Sequence, residues 1–317
     1  MGTAAEAFSD DDEDAGLPLA EIPQYAVIEE GGSAGNYFAS RGESSRGLSR
    51  AFTRTVQKEW KVLRDSLPGG VYVRVYEDRQ DLMRAAIIGP SGTAYADGVF
   101  VFDLFLPPDY PTTPPEVYFH AYGMRLNPNL YDNGRVCLSI LGTWSGKGVE
   151  QWNPKTGSVL QVLVSILGLV LVAEPYYNEA GYENQVDTAE GHRNSRLYNE
   201  TTQLLVYRHM VASVSRPVAH VRDVVFAHFR ERGHAIMDRL DDLLSGARGI
   251  ADEDPQDSEV GKEVASDAAG EEEERSSAGF RASLGRVRGG LVGVLAPLLP
   301  NYIREDSSDL GESRMEF

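Results

Sequence analysis

The feature that most restricts this chain's fold is a series of strand-like runs between residues 71 and 120, separated by short turns. Residues 71–76 (Val-Tyr-Val-Arg-Val-Tyr) alternate, 83–88 are apolar, and 99–106 are rich in β-branched and aromatic residues. Glu77-Asp78, Gly89-Pro90-Ser91-Gly92 and Asp97-Gly98 stand between or at the head of these runs, and turn residues of that kind leave no room for crossover helices. A fourth run, 116–120, follows the proline-dense stretch 107–115. Four strands with short turns predict an antiparallel meander. Just before them, Phe52, Val56, Trp60 and Leu63 recur at helical spacing and stop at Pro68-Gly69-Gly70, so a helix should lie on one face of the sheet. The fold class is therefore α+β.

Further on, residues 121–158 carry many Gly, Asn and Pro without a period. A segment this long without regular structure inside a compact domain is a candidate functional loop. Nearly continuous apolar character predicts a buried helix over 158–172. Helices are expected over about 191–213 and 217–244, the latter with an apolar stripe at Val221, Val225, Phe229, Ile236 and Leu240. Residues 280–304 mix Leu and Val with Gly, Pro and Arg, which argues against a continuous helix and so against lipid binding.

The formal charge of −18 is confined to two stretches. Residues 1–30 hold nine acids and no Lys or Arg, and residues 251–277 hold eleven acids against Lys262 and Arg275, so each is −9 and the remainder is neutral. A neutral body lacks the basic face that nucleic acid requires. Residues 1–47, acidic and then Gly/Ser-rich, are expected to be disordered, as is the acidic linker 249–279. The apolar run 159–173 is too short for a bilayer, and the acidic N-terminus is no signal peptide. One cysteine excludes an internal disulfide and multi-cysteine metal sites, which fits a cytoplasmic or nuclear protein.

That cysteine, Cys137, lies in the irregular segment. Composition alone reads a lone cysteine as a buried small hydrophobe or as a nucleophile. Neither His120 nor His192 sits in a thiol-protease signature, so that chemistry is disfavoured.

The order Ile88-Gly89-Pro90, Thr93-Ala94-Tyr95, Gly98-Val99-Phe100, Leu106-Pro107-Pro108-Asp109-Tyr110-Pro111, Pro114-Pro115-Glu116-Val117, Asn127-Pro128-Asn129, Gly134-Arg135-Val136-Cys137-Leu138 and Trp152 resembles the ubiquitin-conjugating enzyme family over roughly residues 48–215. Residues 125–131 through 141–147, and Glu174-Pro175-Tyr176-Tyr177-Asn178-Glu179-Ala180-Gly181, resemble the large hybrids that join conjugating and ligase activity. The resemblance implies a catalytic domain over 48–215; the additional helix expected at 216–248 and the C-terminal segment, 280–317, lie outside it and their role is open. It implies that Cys137 carries ubiquitin as a thioester from the activating enzyme to a substrate lysine. No cofactor is implied, because ATP is spent by the activating enzyme. Asn129 corresponds to the Asn of the family's His-Pro-Asn motif, an oxyanion donor or loop-shaping group. Asn127 replaces the motif's His, whose bonding to loop backbone an Asn can reproduce. Glu179 corresponds to the acid that receives the incoming lysine.

Arg50, Arg54, Lys58 and Lys61 on the first helix resemble the face that meets the activating enzyme. Thr112 stands where ligase-dependent members often carry Phe, which agrees with a hybrid that finds its own substrates. The acidic ends would attract basic proteins. Two alternatives remain open at this level, a conjugating enzyme for another ubiquitin-like modifier and a non-catalytic ubiquitin-binding scaffold.

Overall fold

The computed structural model describes residues 16–29, 31–41, 49–143, 151–250, 252 and 276–299. Most of the acidic linker and the span 144–150 lie outside them. Strand β1 (Tyr25–Ile28) is followed by helix α1 (Arg50–Ser66), then β2 (Val71–Tyr76), β3 (Leu82–Ile88), β4 (Val99–Phe105) and β5 (Glu116–Phe119). After the irregular segment come α2 (Val159–Ser165), α3 (Ala189–Ser215), α4 (Arg222–Ser245) and α5 (Ala278–Leu295).

Strands β2 to β5 form the expected antiparallel meander in sequence order, and the expected helix α1 precedes it. The α+β class holds, with one correction: the sheet has five strands, because β1 adds to the edge parallel to β2, with Tyr25 opposite Val73. This strand and the segment around it lie in a stretch expected to be disordered. Ile22 and Phe38 explain the difference, since they are 4% and 3% exposed in a region whose average composition is polar. Two buried aromatic or aliphatic anchors each contribute roughly 1.5–3 kcal/mol, enough to order a short segment that its composition hides.

Both faces of the central strands are covered. Phe52, Val56 and Leu63 of α1 join Val73, Val75, Ala85 and Phe102 in the main core. Across the other face runs a cross-strand row, Arg74, Arg84, Asp103 and Tyr118. Arg84 and Asp103 are fully buried, paired at 2.6 and 2.9 Å. The remaining donors of Arg84 go to the carbonyls of Ala219 and Gly35, so the chain before α4 and the chain after β1 meet over this pair. Burial pushes the Asp103 carboxyl up, but bonds from His120 and Arg84 outweigh it and hold the group below the usual carboxylate range.

The helix expected over 158–172 is cut short. Ser158 caps α2 by accepting from the Gln161 amide, but the α-helix ends at Ser165 and the chain continues as a π-helical turn over Ile166–Val170. Wider turns of this sort recur at functional sites. The second correction is α5. Its five glycines disfavour a helix, yet Phe280, Leu284, Val287, Leu291 and Leu295 are all buried at i, i+4, i+7, i+11 and i+15. Ser277 caps it, with its amide and hydroxyl both bonded to Glu200 of α3 at 2.6 Å. Tertiary burial and a cap on α3 override propensity. Helices α4 and α5 share the core of the sheet, so residues beyond 215 are packed into the same body as the meander.

Candidate active site

The segment holding Cys137 is built as a tight double-back. Pro128 supplies the fixed φ for a turn in which the Leu130 amide donates to the Asn127 carbonyl at 3.1 Å. The Asn127 side-chain oxygen accepts from the Asn129 amide at 2.8 Å, an Asx turn that stiffens the same corner. Leu130 then bridges to Val136, and a second turn closes at Gly134. Glycine is needed there: φ is +87°, and a Cβ would fall 2.1 Å from the Tyr118 ring.

The outcome is that positions 129 and 137 face each other. The Cys137 amide donates to the Asn129 carbonyl at 2.9 Å, and the Asn129 side-chain amide donates to the Cys137 carbonyl at 2.6 Å. Cys137 is 6% exposed, and its thiol donates to the Thr143 carbonyl at 2.9 Å. The Thr143 hydroxyl accepts from the Leu138 amide, so the chain after Cys137 is folded back over the sulfur.

Asn127 is the interior anchor. It is fully buried, and its two amide hydrogens go to the Tyr95 hydroxyl at 2.7 Å and the Val170 carbonyl at 2.8 Å. The Tyr95 hydroxyl in turn donates to the Leu126 carbonyl at 3.1 Å. Full burial pushes the Tyr95 phenol well up, so it stays a neutral donor. The Val170 carbonyl is available because the π-helical turn ends there.

Glu179 joins the loop through Arg125. Its carboxylate is half-exposed and 3.3 Å from Arg125, whose guanidinium also reaches the Pro128 carbonyl at 3.4 Å and lies over the Tyr131 ring. Glu179 is thus tied to the Asn127–Asn129 corner through Arg125. Asn178 bonds the Leu169 carbonyl, which holds the Glu179 segment against the π-helical turn.

Of the four expected site residues, Cys137, Asn129 and Asn127 are joined by direct bonds and Glu179 by one intermediary. The sequence alone assigns no role to Tyr95, Arg125, Thr143 or the Val170 carbonyl. Tyr95 and Arg125 stand in the motifs that carry the resemblance, but neither their type nor their spacing tells that they touch residues 32 and 54 positions away.

Residues 55–206 match the family described as ubiquitin-conjugating enzyme. Over 197 residues the chain is 51% identical to "Probable ubiquitin-conjugating enzyme E2 23" of Arabidopsis thaliana, covering 62% of this chain and 18% of that protein. The chain belongs to the ubiquitin-conjugating enzyme family. Over 212 residues it is 44% identical to "Putative ubiquitin-conjugating enzyme E2 38" of the same plant, covering 67% of this chain and 65% of the relative. It is also 40% identical over 229 residues, 70% of its length, to 5% of the human "Dual E2 ubiquitin-conjugating enzyme/E3 ubiquitin-protein ligase BIRC6". The chain spans less than two-thirds of the length of each of these relatives. The meander, α1 and the Cys137 loop are those of a ubiquitin-conjugating domain, and the match ends within α3, before α4 and α5.

Among the described residues no group of three or more His, Cys, Asp or Glu is arranged to hold a metal ion. No helix among them is long and apolar enough to cross a membrane. The basic residues expected to meet the activating enzyme, Arg50, Arg54, Lys58 and Lys61, are all exposed on α1, with Lys61 paired to Asp65.

Proposed function

We propose that this chain accepts ubiquitin on Cys137 as a thioester and passes it to a substrate lysine. The observation that carries this reading is the reciprocal pair of bonds between Asn129 and Cys137, which sets an amide side chain on the backbone of the only cysteine. In the first step the Cys137 thiolate attacks the thioester carbonyl held by the activating enzyme, and that enzyme's thiolate leaves. In the second, a lysine amine attacks the new thioester, the C–S bond to Cys137 breaks, and the amine's proton is lost.

The Cys137 carbonyl takes one of the two amide hydrogens of Asn129. The second hydrogen is the donor for the oxyanion that forms during lysine attack. Asn127 supports this by holding the Asn129 amide while anchored to Tyr95 and Val170, a positioning role. Glu179, tied to the loop through Arg125, orients the arriving lysine. A carboxylate beside an amine also favours its protonated form, so the gain from Glu179 is in placement and proton transfer.

The exposed bases of α1 form the face for the activating enzyme. Thr112, and the 40% identity to a relative named as both conjugating enzyme and ligase, favour a hybrid that engages its substrates directly. The acidic stretches 1–30 and 251–277 recruit basic substrates. A single free thiol in a chain of this chemistry favours a reducing compartment, the cytoplasm or nucleus.

The test is a charging reaction with ubiquitin, its activating enzyme and ATP on a non-reducing gel. An adduct of one ubiquitin that reductant removes and Cys137→Ala lacks is expected. An adduct unchanged in Cys137→Ala would overturn the reading.

A further inference from the structure

Helix α4 lies beyond the family match, yet two of its side chains close on the turn between β3 and β4. His228 Nε2 donates to the Asp97 carbonyl at 2.9 Å, and Arg232 Nε lies 2.8 Å from the Asp97 carboxylate. His228 is 2% exposed, and burial lowers its basicity, so it stays a neutral donor at Nε2. Asp97 itself has a φ of +61°, a left-handed conformation that a non-glycine residue keeps only where its surroundings hold it.

The turn transmits position over a short path. The Asp97 amide donates to the Gly89 carbonyl at 3.3 Å, the Gly98 amide to the Tyr95 carbonyl at 3.0 Å, and the Gly89 amide to the Gly98 carbonyl at 2.8 Å. A Cβ on Gly89 would fall 1.9 Å from the Tyr95 carbonyl oxygen, so the two limbs touch as closely as backbone allows. Tyr95 is two residues from Asp97, and its hydroxyl accepts from Asn127. From there the bonds run to Asn129 and Cys137. Beside the clasp lies a cavity of about 290 Å³ between Leu19, Ile88, Asp97, His228 and Glu231.

We propose that His228 and Arg232 of α4 are positioning residues for the Cys137 loop, acting through Asp97, Tyr95 and Asn127 on Asn129. This rests on the thioester reading above and extends the working catalytic unit past the matched domain into α4. Lysine attack, which needs Asn129 in place, depends on the clasp. Charging, in which the activating enzyme supplies its own machinery, depends on it less.

The test uses the full chain and follows two rates, charging with ubiquitin and discharge of the preformed thioester to free lysine. The variants are Arg232→Ala, Asp97→Gly and Asp97→Asn. Glycine keeps the left-handed backbone without strain and loses the carboxylate, so it isolates the clasp even where Arg232→Ala folds poorly. Asparagine tolerates the same backbone and retains a side-chain oxygen for Arg232. Arg232→Ala and Asp97→Gly are expected to slow discharge about tenfold with charging within about twofold, and Asp97→Asn to recover most of the loss. In a Tyr95→Phe background, Arg232→Ala should cost less than about twofold more, because the path is already cut. Discharge at the wild-type rate, equal slowing of both steps, or additive effects in the double variant would overturn the proposal. A wild-type chain that takes no ubiquitin while a control conjugating enzyme does would instead overturn the thioester reading and this proposal with it.

Discussion

Replacing Asn127 with alanine isolates the anchor on which the Cys137 loop depends. The side chain is fully buried and makes three bonds, to the Tyr95 hydroxyl, the Val170 carbonyl and the Asn129 amide. Alanine leaves the buried Val170 carbonyl and the partly buried Asn129 amide without their partner. Tyr95 keeps its bond to the Leu126 carbonyl and contributes less to the loss. Each stranded neutral group costs about 1–3 kcal/mol, so the variant should lose about 2–6 kcal/mol. That is a large part of the 5–15 kcal/mol typical of a folded domain, yet the chain should remain folded at room temperature. Urea titration followed by far-ultraviolet circular dichroism reads this as a lower midpoint at unchanged slope. Tyr95→Phe removes both the acceptor for one Asn127 amide hydrogen and the donor to the Leu126 carbonyl, so on the same scale it should also lose about 2–6 kcal/mol. At a temperature where both variants are folded, Asn127→Ala should discharge the thioester to lysine more slowly than Tyr95→Phe. A loss below about 0.5 kcal/mol for Asn127→Ala would refute the reasoning, because surface changes give shifts that small.

His209 of α3 stacks on Phe100 and Phe119 with no surface exposure, and burial lowers its pKa to about 4. The unfolded chain binds the proton at about 6.5, so this contribution to stability is complete above that pH and is lost as pH falls through 4. About 2 kcal/mol should disappear by pH 5, and His209→Gln should flatten that part of a stability–pH profile measured by denaturant titration. Asp103→Ala strands the fully buried Arg84 and releases the Tyr37 amide and His120. It should destabilise by about 3–5 kcal/mol in the same titration, and a loss under about 1 kcal/mol would show that the pair is solvated.

The meander was legible because its strands announce themselves twice, by residue type and by the turns between them. Residues 71–76 fall in β2 without a change of boundary, and 83–88 and 99–106 differ from β3 and β4 by one residue. The reach of α5 was not legible, because glycine content describes an isolated helix while the stability of α5 comes from five buried side chains and a carboxylate on α3. Strand β1 was hidden for the opposite reason: Tyr25 to Ile28 is a short apolar island whose acidic and glycine-rich neighbours dominate any average. At the site, the spacing between Asn129 and Cys137 pointed to the loop, and the turn chemistry of Asn127-Pro128-Asn129 explains how that spacing becomes contact. Tyr95, Val170 and the α4 clasp were invisible because they act through tertiary contacts across as many as 135 positions in sequence, as Arg232 does on Asp97.

The central claim, that Cys137 is the atom-level carrier of ubiquitin, is tested most directly by trapping the adduct. Cys137→Ser replaces the thiol with a hydroxyl, so charging should yield an ester that survives thiol reductant, is cleaved by mild base, and maps by peptide mass spectrometry to the peptide containing position 137. An adduct found on a lysine instead, or none at all with wild type or variant beside an active control enzyme, would contradict the account.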